Sequence, residues 1–69
     1  MKSRLKIERM RKGLTQVEMA EKIKLSAPTL CALEGRRLVA GEKHKRILEA
    51  ALEIPASELF EDNGLARLQ

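Results

Sequence analysis

Apolar residues recur at helical spacing along most of this chain, in short runs separated by turn-forming residues. Met19, Ala20 and Ile23 line one face of a segment that starts after Gly13. Leu30 and Leu33 line one face of the next segment, which ends at Gly35. Ile47, Leu48, Ala51 and Leu52 form a third stripe. Apolar positions three and four apart are the mark of an amphipathic helix. The polar residues supply the ends. Thr15 and Glu18 form a T-x-x-E capping box, in which side chain and backbone satisfy each other's free N–H groups. Ser26 is a second N-cap, and Pro28 lies in the first turn, where its missing N–H costs little. Gly35 suits a left-handed helix end. The pattern predicts helices over residues 16–23 and 27–34, joined by a turn at 24–26.

The remaining elements follow from the same signals. Ser3 caps a first helix that runs to about Lys12 and stops at Gly13. Its face is irregular, with Leu5 and Arg9 together, Glu8 between them, and Ile7 and Met10 pointing elsewhere. Residues 35–41 form a loop, and residues 42–52 a fourth helix. Pro55 opens a short last helix over 56–60. Asn63-Gly64 reads as a turn. Leu65 and Leu68 in the tail have no obvious intramolecular partner. The fold class is therefore all-α: a compact five-helix domain over residues 1–60, followed by a tail, 61–69, that is either dimer-contacting or disordered.

The chain has 69 residues, room for one small core. It has no tryptophan or tyrosine and a single Phe60, so that core must be aliphatic and its stability modest. No apolar run approaches the roughly 20 residues of a membrane span. The basic N-terminus is not followed by an apolar stretch, so no signal peptide is expected. A lone Cys31 fits a reducing cytoplasm. Cys31 and His44 suggest neither a nucleophile pair nor a structural zinc set, because no third orienting or ligating residue accompanies them. No enzyme activity, cofactor or metal is expected.

Charge changes the picture more. Residues 1–46 carry 13 Lys/Arg against 5 Asp/Glu, and residues 47–69 carry 1 against 5. One end of the molecule is suited to a polyanion and the other is not. Two short helices with so tight a turn cross steeply and expose one face of the second, the geometry with which a helix enters a DNA major groove.

Gly13-Leu14-Thr15-Gln16, Met19-Ala20-Glu21-Lys22-Ile23, Leu25-Ser26 and Leu33-Glu34-Gly35 closely resemble the helix-turn-helix of phage Cro and repressor proteins, within the wider group of Xre-type regulators. The resemblance runs from about Leu5 to Phe60. It implies a lambda-repressor-like five-helix domain that binds double-stranded DNA through helices 2 and 3.

Several residue roles come with the resemblance. Ala20 matches a position kept small where two helices approach. Lys24 stands where relatives usually place glycine in a left-handed turn, so it is either strained or the turn differs. Such a residue costs on the order of 1–2 kcal/mol. Arg9 and Glu34 match a partly buried ion pair, the alternative being two solvated charges. Glu8 replaces an apolar residue and must be solvated or paired with a base. Gln16 matches a contact to the DNA backbone, which suits a helix N-terminus rich in free N–H groups. The base-reading positions fall on Ala27, Pro28 and Ala32, none of which can hydrogen-bond to a base edge. Alanine can only meet a thymine methyl. Thr29 is the nearest polar residue, though its hydroxyl has the first turn of its own helix as a competing partner.

These residues lead to a DNA-binding transcriptional regulator, repressor-type and homodimeric. Gln16, Thr29, Arg36, Arg37 and Lys43 hold the DNA, and Leu59, Phe60, Leu65 and Leu68 form the dimer contact. The alternative is a protein-interaction module, antitoxin or antirepressor-like, whose protein partner packs on Ala27, Pro28, Cys31 and Ala32.

Overall fold

The computed structural model describes residues 2–69. Five helices follow in order: α1 (Arg4–Arg11), α2 (Gln16–Ile23), α3 (Ala27–Glu34), α4 (Glu42–Leu52) and α5 (Ala56–Leu59). They match the segments predicted from the apolar spacing to within one residue at each end. No strand occurs among the described residues, which form only two isolated antiparallel bridges.

The polar caps are built as the sequence requires. The Ser3 hydroxyl accepts from the Lys6 N–H, and Ser26 from the Thr29 N–H, each at 3.2 Å. Thr15 and Glu18 complete the reciprocal box, with Thr15 N–H donating to Glu18 Oε1 at 2.8 Å and Glu18 N–H to Thr15 Oγ1 at 3.1 Å.

Three helices end in one hydrogen-bond pattern. After α2, Lys24 N–H donates to the Glu21 carbonyl and Leu25 N–H to the Ala20 carbonyl, with Lys24 left-handed at φ 59°. After α1 the same two bonds centre on Gly13, at φ 73°. After α3 they centre on Arg36, at φ 60°. This is the Schellman arrangement, whose paired bonds satisfy the free carbonyls of a helix end. It corrects the expectation for Gly35, which is right-handed at φ −86°. The chain turns one residue later, because the Arg37 N–H reaches back to the Ala32 carbonyl at 2.9 Å.

Leu5, Met19, Leu30, Leu33, Leu48 and Leu59 fill the centre with fully buried side chains. Ala20 is 2% exposed where α2 packs on α3 and α4. The irregular face of α1 is resolved by pairing. Glu8 accepts from Arg4 Nε at 3.1 Å and from Arg11 Nη1 at 3.0 Å.

Residues 61–69 pack against the five helices. Ala66 is completely buried and bridges Phe60, while Leu68 bridges Ser3. The backbone of Arg4 donates to the Arg67 carbonyl at 2.7 Å, and Gln69 donates to the Lys2 carbonyl at 2.9 Å. The tail thereby laces α5 to the start of α1.

Candidate nucleic-acid interface

Several of the residues singled out from the sequence sit on or beside the α2–α3 pair, and some are already engaged within the chain. Arg9 Nε donates to Glu34 Oε2 at 2.7 Å and Arg9 Nη2 to Glu34 Oε1 at 3.2 Å. Their side chains are only 8% and 3% exposed. Arg9 Nη1 donates to the Leu14 carbonyl at 2.7 Å. The guanidinium thus ties α1 both to the end of α3 and to the approach to α2. A two-pronged arginine–carboxylate contact is both strong and orienting.

Glu34 has a second partner. Gln16 Nε2 donates to its Oε1 at 3.0 Å. An amide carries two N–H groups, so one Gln16 donor is spent on Glu34 and its orientation is set by that bond. Gln16 stands at the first position of α2, where backbone N–H groups have no helical partner.

The outward side of α3 is sparse. Pro28 is exposed, and Ala27, Cys31 and Ala32 are half-buried. Thr29 Oγ1 lies 2.7 Å from Ser26 Oγ, so the one hydroxyl of α3 is engaged at its own helix start.

Arg36 and Arg37 are neighbours in sequence with different roles. Arg36 Nη2 donates to Glu61 Oε2 at 2.8 Å, and its Nε is buried without a partner. This arginine braces the loop against the tail. Arg37 is exposed, and its Nη2 lies 3.2 Å from the Cys31 sulfur. It stays beside α3 and remains open to solvent. Lys43 is exposed in the first turn of α4.

The expected dimer contact is divided. Leu59 and Phe60 are 0% and 2% exposed, enclosed by their own subunit, and are thereby removed from any surface. The apolar positions of α5 are needed to close this small core. Leu65 is half-buried and Leu68 is 41% exposed, so these two remain available. Val39 lies exposed beside Gly64, next to Leu65.

The Glu18 carboxyl is held below its ordinary value of 4.5 by the Thr15 backbone N–H and, second, by the Thr15 hydroxyl. Sequence reasoning missed the Gln16–Glu34 and Arg36–Glu61 contacts. Each joins residues too far apart in the chain for any local pattern to pair them.

No family model, curated protein or solved structure matches this chain.

Proposed function

We propose that this chain is a DNA-binding transcriptional regulator of the Cro and repressor kind, with α2 and α3 acting as a helix-turn-helix. The observation that carries the reading is the α2–α3 pair itself. Two separately capped eight-residue helices meet at a left-handed Lys24, and the outer side of the second carries an exposed Pro28 among half-buried small residues. A basic balance in residues 1–46 supports the same conclusion. On this reading α3 enters the major groove, and Gln16, Arg37 and Lys43 contact phosphates. Affinity is mostly electrostatic and falls steeply with salt.

The protein acts as a homodimer through Leu65, Leu68 and Val39, presenting two recognition helices about 34 Å apart, one DNA turn. Base discrimination is thin, because Ala27, Pro28 and Ala32 offer only methyl and methylene contacts. Much of the specificity then comes from how readily the duplex deforms.

A second reading, a protein-interaction module of the antitoxin or antirepressor kind, is favoured by one observation. The exposed side of α3 bears small apolar groups, and its hydroxyl is already tied to Ser26. Binding to random and to selected duplexes at two salt concentrations separates the two. The DNA reading requires binding at low salt that weakens steeply as salt rises. Absence of binding to either duplex at low salt leaves the protein-partner reading.

A further inference from the structure

A surface cavity of about 220 Å³ opens between the start of α1, the start of α2 and the end of α3. Three cations line it: Lys2 and Lys6 from the start of α1, and Arg37 from the loop after α3. Gln16, Cys31 and Glu34 complete the wall. A carboxylate in such a cavity would ordinarily repel an anion. Here Glu34 is buried and neutralised by both prongs of Arg9. The cavity is left with three uncompensated positive charges, since none of the three cations has an acidic partner within ion-pair distance among the described residues. Glu34 also fixes the Gln16 amide, whose second N–H is free to donate.

We infer that this cavity is a seat for one phosphate group of a nucleic-acid backbone, gripped by Lys2, Lys6 and Arg37 and oriented by the Gln16 amide. The inference rests on the DNA reading and deepens it, by giving α1 a part in binding. Its position supports the choice of ligand. Arg37 lies against Cys31, which is one turn along α3 from Ala27 and Pro28. A strand whose phosphate occupies the cavity therefore passes beside the exposed side of α3. The cavity is roomy enough for a phosphate group, and its charge comes from two segments, the start of α1 and the loop after α3, that only the folded chain brings together. Sequence reasoning assigned Arg37 and Gln16 to the backbone but not Lys2 or Lys6.

The test compares wild type, the Lys2→Ala/Lys6→Ala double variant, Arg37→Ala, the triple variant and a control, Lys45→Ala. Binding to a random duplex is followed across a salt series, and the Gln16 side-chain amide signal is followed by NMR during titration with inorganic phosphate. A seat for one phosphate predicts that the triple variant lowers the salt slope by about one unit in all, with Lys45→Ala unchanged. Loss of about two units or more means that the cations touch separate phosphates and overturns the shared seat. An unchanged slope in the triple variant, with wild type still bound to duplex, overturns the seat and leaves the DNA reading standing. Failure of wild type to bind duplex overturns both. In that case a shift of the Gln16 amide with inorganic phosphate, lost in the triple variant, marks a site for the free anion instead.

Discussion

Arg9 and Glu34, 25 residues apart, are joined by two hydrogen bonds of 2.7 and 3.2 Å, with both side chains almost fully buried. Breaking such a pair leaves a buried charge uncompensated, which costs about 3–5 kcal/mol when one partner is removed. Arg9→Ala and Glu34→Ala should each be strongly destabilised in urea melts, and the double variant should lose clearly less than the sum. Simple additivity would show that the two side chains do not act as a brace. Glu34→Gln should in addition loosen Gln16, visible as a changed side-chain amide signal.

Lys24 carries a side chain at φ 59°, where the steric conflict with the following carbonyl costs about 1–2 kcal/mol. Glycine relieves that strain but adds freedom to the unfolded chain. Lys24→Gly should therefore melt at the same temperature or higher. A clear drop would mean that the lysine makes a compensating contact.

Gly64 is the opposite case. It sits at φ +87°, and an added Cβ would meet Val39 Cγ1 at 2.6 Å and the Ala40 carbonyl at 3.1 Å. The Gly64 carbonyl also accepts from the Ala40 N–H at 2.8 Å. Gly64→Ala should thus lower stability and pry the loop before α4 away from the tail. Faster amide exchange at Ala40 is the expected signature, and unchanged exchange would show that the two segments hold without this contact.

Ala20 is 2% exposed where α2 packs against its neighbours. Adding methylenes to a full core costs typically about 1–3 kcal/mol. Ala20→Leu should fall in that range by denaturant titration, while Ala50→Leu, at an exposed position of α4, should be close to neutral. Equal effects at the two positions would argue against close packing at Ala20.

The capping box should give α2 a pH dependence. The Glu18 carboxyl is held below its ordinary value of 4.5 in the folded chain. Its contribution is therefore full above the unfolded value and lost as pH falls through the lower folded one. In Glu18→Gln that part of the acid-side loss should disappear, measured as thermal stability from neutral pH down to the acid limit. An identical pH profile in the variant would detach Glu18 from the effect.

The helices were legible in the sequence because their signals are local. Thr15 with Glu18, and Ser26 with Pro28, act within one turn and give the same result in any surroundings. The apolar stripes at Met19, Ala20 and Ile23, and at Ile47, Leu48, Ala51 and Leu52, likewise announce their own buried face. Gly35 shows how far such signals reach. A glycine allows a left-handed backbone but does not require one, and α3 turned at Arg36, where the returning N–H of Arg37 found its carbonyl. The tertiary structure alone decided what depends on contacts between distant segments. Leu59 and Phe60 look like surface for a partner until α1 and the tail enclose them, and Leu65 and Leu68 part company with them only through the buried Ala66 beside Phe60. Arg36 and Arg37 are alike in sequence, yet Glu61 holds the first and leaves the second open. Lys2 and Lys6 line one cavity with Arg37 because folding carries the start of α1 to the end of α3. Local chemistry sets each helix and its ends, whereas long-range packing decides which charges are compensated and which remain for a ligand.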